Sequence, residues 1–243
     1  MSENKLLFTK ENLDFYLEKL AYAFQKNNGR QARAEIVLIG GAAILAGYDF
    51  RGSTNDIDAF VRTTSSMKSA INFVSDEYNL PSGWFNSDFI KTNSFSPKLA
   101  QYSKFYREIN KNFIVRLISG EYLIAMKLCS FRSYKRDRSD ILGVLQYHQN
   151  IGHPLSFEKI MQAFTNLYEN KCVPSPDAIA LLKSGLSASD AELRKLIQKT
   201  LERESQNKTL LKEFDSEHKG VLNSDNLNDI LSALQEDDEP DHP

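Results

Sequence analysis

The chain is expected to adopt an α+β fold: a mixed β-sheet with flanking helices, followed by a helical C-terminal region. Three observations predict it. Short apolar runs at 35–39 and 57–61 have the length and the β-branched content of strands. A stretch with helical periodicity, 12–25, precedes them. From Gly120 onward every periodic segment repeats with the helical period. This division sets 1–118 as an α/β core with an N-terminal helix, 119–235 as a mainly helical region, and 236–243 as a disordered acidic tail.

Each element has its own local reason. Residues 12–25 place Leu13, Tyr16, Leu17, Leu20, Ala21 and Phe24 on one helical face. A strand at 35–39, a helix at about 41–47 and a strand at 56–62 follow. Met67, Ala70, Ile71 and Val74 point inward from a helix over 65–76. Residues 104–108 and 112–117 alternate, with Phe105, Phe113 and Val115 inward, and read as a hairpin turning at Asn110-Lys111. Trp84, in a loop after Pro81-Ser82-Gly83, reads as a core anchor. Helices are predicted over 121–131, 139–147, 156–170, 176–184, 187–206 and 223–235, with a linker at 150–154.

Composition narrows the function classes. With 41% hydrophobic residues, 15 Phe and 10 Tyr, the chain can bury a substantial core. No apolar run approaches the ~18 residues of a membrane span, and 1–10 lacks the apolar centre of a secretory signal. Cys129 lies in an apolar helical pattern and Cys172 stands apart; so few cysteines imply reduced thiols and a cytoplasmic protein. The four histidines show no metal-ligand spacing. The net charge of −2 excludes a general polyanion binder, yet Lys127, Arg132, Lys135, Arg136 and Arg138 crowd one short stretch. That run suits either a solvated helix end or contact with a triphosphate or an RNA backbone.

The most specific chemistry lies in Gly40-Gly41 followed by Asp56-Ile57-Asp58. In a strand, residues i and i+2 share a face. Asp56 and Asp58 therefore aim two carboxylates at one place while Ile57 and Ala59 enter the core. A lone D-x-D is commonly a solvated turn, and a lone Gly-Gly is commonly just a turn. Together, between a strand and a second strand, they form a seat for Mg²⁺ (or Mn²⁺) and a nucleotide.

The stretch GGAAILAGYDFRGSTNDIDAFV resembles the DNA polymerase β-like nucleotidyltransferase superfamily, and most closely the bacterial AbiEii/MenT-like proteins, many of them toxins of toxin–antitoxin pairs. The likeness covers about 34–148. It implies a nucleotidyltransferase-type sheet, completed by the helical region, that moves a nucleoside monophosphate from an NTP to an RNA, for instance tRNA, or to a protein. It also implies a cognate antitoxin as partner. The Trp84-Phe85-Asn86 stretch resembles a short tryptophan-asparagine element of such proteins.

Lys127 sits among apolar residues, where a charge is costly unless paired or able to reach water. The resemblance implies that it touches phosphate, because AbiEii-like proteins carry a lysine in such a helix. It also implies a following R-D-x-x-D element, here Arg136-Asp137-Arg138-Ser139-Asp140. Asp137 and Asp140 share one helical side; either could cap the helix while the other serves catalysis. Helices 121–131 and 139–147 are then expected to bring these groups toward Asp56 and Asp58. The chain departs from the usual Gly-Ser opening, having Ala42 after the glycines, so Ser53 and Thr54 are the candidate hydroxyls.

The competing reading is a non-catalytic binding module on the same fold, or an antitoxin-like protein that modifies a partner. A calcium-loop imitation begins at Asp215 but places Lys219 and Asn226 where an acceptor and a bidentate Glu belong, which excludes it.

Overall fold

A computed structural model describes residues 7–61, 65–223 and 226–237. The described chain divides into two compact units, one running to Met126 and including Glu158–Val173, the other comprising Lys127–Phe157 and the chain from Pro174.

The first unit is built on a five-stranded mixed sheet. Helix α1 (Lys10–Asn28) precedes β1 (Ala34–Leu38), α2 (Gly40–Gly47), β2 (Ile57–Val61), α3 (Ser65–Tyr78), β3 (Phe85–Asn86), β4 (Ser103–Ile109) and β5 (Phe113–Ile118). The strand order is β3-β2-β1-β5-β4. Strand β1 lies at the centre, antiparallel to β2 and parallel to β5. Its nearly continuous burial explains why it reads as an apolar run without alternation. Strand β2 does alternate: Ile57 and Ala59 are fully buried while Asp56 and Asp58 are partly exposed. Helix α1 buries Leu13, Leu17, Leu20, Ala21 and Phe24, most of its predicted face, and Asn12 Oδ1 accepts from the Thr9 N–H at its start (2.8 Å).

The hairpin turns where expected. Asn110 and Lys111 both have positive φ, 51° and 63°, which matches the twist of the flanking strands. One inward assignment fails. Phe113 and Val115 are buried, but Phe105 is 62% exposed. A register break between Phe105 and Arg107 on edge strand β4 interrupts the alternation on which the expectation relied. Trp84 is buried, its ring against Phe8 and Tyr16.

Helix α6 (Phe157–Tyr168) supplies later chain to the first unit. The Ser96 hydroxyl donates to Leu167 O (2.8 Å), the Tyr168 hydroxyl to Ser94 O (2.7 Å), and the Asn166 amide to the Tyr122 hydroxyl (2.8 Å).

The second unit is helical. Helix α4 (Gly120–Ser130) ends in it, followed by α5 (Asp137–Asn150), α7 (Pro176–Ser187), α8 (Asp190–Glu217) and α9 (Leu227–Asp237). Ser175 caps α7 and Ser189, with Glu192, caps α8. Helix α8 runs well past the predicted 206, because Asn207 and Leu211 are buried in this polar stretch. It carries Asp215 in helical conformation, so no calcium loop forms there. Neither cysteine is a free thiol, against the reduced state expected from composition; the number and spacing of cysteines alone do not fix their thiol state. Among the described residues no helix is long and apolar enough to cross a membrane. The acidic-tail expectation falls almost wholly outside the described residues.

Candidate active site

In the first unit, the end of β1 meets the start of β2 at the glycine pair. The Ile39 N–H donates to Asp58 O (3.0 Å), which fixes Asp58 beside the first turn of α2. Gly40 has φ +54°, and a Cβ there would lie 3.2 Å from Asp58 Oδ2. A side chain at position 40 would thus be strained and would press on the carboxylate. At Gly41 a Cβ would meet Thr54 Oγ1 at 2.5 Å and an Arg51 guanidinium nitrogen at 2.9 Å. Both glycines keep bare backbone against the D-x-D strand.

Asp56 lies one residue before β2, and Asn86 Nδ2 donates to its Oδ2 (3.4 Å). The β2–β3 register makes this possible, since Asp58 pairs with Asn86 and Ile57 with Phe85. The residue after the buried tryptophan and phenylalanine therefore orients a site carboxylate. Thr54 is buried, its backbone paired in both directions with Phe8 (2.8 and 2.9 Å) and its hydroxyl against Gly41. The Ser53 carbonyl accepts from Arg51 Nε (3.1 Å).

The donor set suits magnesium. Asp56 and Asp58 are the two partly exposed carboxylates at the start of β2. Mg²⁺ is commonly held by one or two carboxylates, with substrate phosphates and water completing its shell.

Lys127, Asp137, Asp140 and Arg136 belong to the second unit. Lys127 does not extend to solvent: it is 8% exposed, with Nζ 2.8 Å from Asp137 Oδ1 and 2.9 Å from Asp140 Oδ2. Asp137 is fully buried and accepts five hydrogen bonds: from Lys127 Nζ, Ser130 Oγ (2.8 Å), Arg132 N (3.0 Å), Arg132 Nε (2.8 Å) and Arg132 Nη2 (3.1 Å). Burial alone would raise its pKa, but the Lys127 charge and the Arg132 fork hold it well below the usual carboxylate range. Its oxygens are saturated, which makes Asp137 a structural hub that ties the end of α4 to the start of α5.

Neither aspartate caps α5. Arg136 stands at the N-cap without a side-chain cap bond and is exposed. The cap comes from α8: Glu204 accepts from Arg138 N (2.9 Å), Ser139 N (3.1 Å) and Ser139 Oγ (2.5 Å). Burial pushes its carboxyl up to about 7 despite these bonds. Glu204 is the residue sequence reasoning missed, since it lies far along the chain in a run of charged residues. The basic run is partly consumed inside this unit. Lys127 and Arg132 serve Asp137, and Arg138 stacks on Phe131 (4.5 Å to the ring centre).

A mixed sheet whose central strand ends in a glycine pair beside a two-aspartate strand, with flanking helices, defines a nucleotidyltransferase-type fold. The model of the family described as nucleotidyltransferase of unknown function (DUF6036) matches residues 16–176, and the chain belongs to that family. The match supports the nucleotidyltransferase superfamily and nucleotidyl transfer as the activity; it does not reach the narrower AbiEii/MenT-like likeness. No curated protein and no solved structure matches the chain.

Proposed function

We propose that the protein is a Mg²⁺-dependent nucleotidyltransferase that moves a nucleoside monophosphate from an NTP to an RNA acceptor. The observation that carries this is the Asp58 carboxylate held 3.2 Å from where a Gly40 side chain would begin, which sets a carboxylate beside backbone that phosphate can approach. Asp56 and Asp58 would hold the ion, and Asn86 would keep Asp56 turned toward it. When bound, the ion supplies charge neutralisation at the triphosphate. Gly40 and Gly41 present bare backbone beside Asp58, Thr54 and Arg51, and Ser53 lies in the same turn. In the transfer an acceptor hydroxyl releases its proton to solvent as its oxygen bonds to the α-phosphorus, the bond to the α–β bridging oxygen breaks, and pyrophosphate departs.

The RNA acceptor, with tRNA as the first candidate, and a toxin role with a cognate antitoxin rest on the likeness of the 40–61 stretch to AbiEii/MenT-like proteins. The test is incubation of the full chain with each α-labelled NTP, Mg²⁺, total tRNA and cell lysate, followed by gel separation. Label on RNA that disappears with EDTA is the expected result. Label on a protein band would redirect the acceptor assignment, and no transfer from any NTP would overturn the reading.

A further inference from the structure

The notable side chain at this site outside the aspartate pair is Arg51. It is partly buried in the turn between α2 and β2. Its Nε donates to Ser53 O (3.1 Å), which orients the guanidinium. The far end is carried onto the glycine pair: a terminal nitrogen lies 2.9 Å, and the central carbon 3.0 Å, from where a Gly41 Cβ would stand. At the neighbouring Gly40, Asp58 Oδ2 lies 3.2 Å from where a Cβ would stand. The two glycines are thus flanked by a carboxylate at one residue and a guanidinium at the next.

We infer that Arg51 binds the triphosphate of the incoming nucleotide, gripping phosphate oxygens beside the glycine pair. The inference rests on the nucleotidyltransferase reading above and adds a residue to it. Two physical points support it. A guanidinium presents planar paired donors that match phosphate oxygens, which an ammonium cannot reproduce. The turn bond through Nε pre-orients that fork, so less side-chain freedom is lost on binding. The arrangement also gives Gly41 a purpose, since any side chain there would displace the guanidinium.

The test uses the full chain and calorimetric titration with tripolyphosphate plus Mg²⁺, a probe that needs neither the right nucleobase nor an acceptor. Wild type, Arg51→Met, Arg51→Lys and Asp58→Asn are compared, with thermal melts alongside. The expected result is a loss of at least tenfold in affinity for Arg51→Met and a smaller loss for Arg51→Lys. A second measurement needs no variant: phenylglyoxal modification of Arg51 in wild type, read by mass spectrometry, should be suppressed by Mg²⁺-tripolyphosphate. If Arg51→Met lowers the melting temperature but binds tripolyphosphate like wild type, Arg51 is only a brace for its turn and the inference falls. Unprotected Arg51 under saturating tripolyphosphate would overturn it equally. In both cases a defect in Asp58→Asn would leave the metal-site reading standing. Wild type that binds no polyphosphate with Mg²⁺ would overturn the inference together with the reading beneath it.

Discussion

Replacing Asp137 by Ala should be among the most destabilising single changes in the second unit. The carboxylate is fully buried and joins Lys127, Ser130 and Arg132 through five hydrogen bonds. Removing one partner of a buried ion pair costs about 3–5 kcal/mol. Lys127 keeps Asp140 at 2.9 Å, which moderates the loss, and Arg132 is partly exposed and can turn to water. The lower half of that range, about 3–4 kcal/mol, is therefore expected. For a chain of this size each kcal/mol moves the melting temperature by about 2–4 °C, so the variant should melt roughly 6–16 °C lower. Calorimetry and urea titration followed by circular dichroism would measure it. The double variant with Lys127→Met should lose less than the sum of the singles, with a coupling of about 1 kcal/mol or more. The pH dependence has a definite sign. Because the folded pKa of Asp137 is depressed, its contribution is complete above the ordinary value of 3.8 and is lost as pH falls below that. The gap between wild type and variant should therefore be constant near neutrality and close in acid. A loss under about 1 kcal/mol, or strict additivity with Lys127→Met, would refute the hub assignment.

Three further outcomes follow from the structure. The Asp56→Ala, Asp58→Ala double variant should show no specific Mn²⁺ binding with NTP by electron paramagnetic resonance while its melting curve stays close to wild type; retained binding would sink the metal assignment. Asn86→Ala should weaken NTP-dependent Mn²⁺ binding a few-fold without abolishing it, since it removes only an orienting bond of 3.4 Å; an unchanged affinity would show that the amide does not orient Asp56. Glu204 has a raised folded pKa, about 7 against 4.5, so its contribution is fully present below pH 4.5 and is lost as pH rises toward 7. Glu204→Gln should remove that decline and be more stable than wild type at pH 8 by up to about 3 kcal/mol. Parallel stability profiles from pH 5 to 8 would contradict it.

The elements themselves were legible because they follow from local periodicity. Alternation in β2 placed Ile57 and Ala59 inward and the two aspartates outward, and the helical face of α1 was readable residue by residue. Asn110-Lys111 marked its hairpin through the conformations such a turn requires. The glycine pair and the D-x-D also stood out, since both depend on backbone geometry within a short stretch. Even so, local pattern misassigned Phe105, where a bulge breaks the period, and stopped α8 too early, where a few buried contacts sustain a polar helix.

Partners distant in sequence were beyond that reach. Lys127 looked like a charge needing either solvent or a ligand, and the fold pairs it with two aspartates. Asp137 and Asp140 read as one cap and one site carboxylate with the choice open, yet Glu204, 65 residues beyond Ser139, accepts the amides of α5. Why position 41 is glycine was likewise hidden until Thr54 and Arg51 were seen to occupy the space of a side chain. Periodicity is a property of neighbouring residues and survives in the sequence. Desolvated charges find their partners only when the chain packs, so identity, spacing and propensity alone determined the elements and the aspartate pair, while tertiary structure decided which ionic groups neutralise one another.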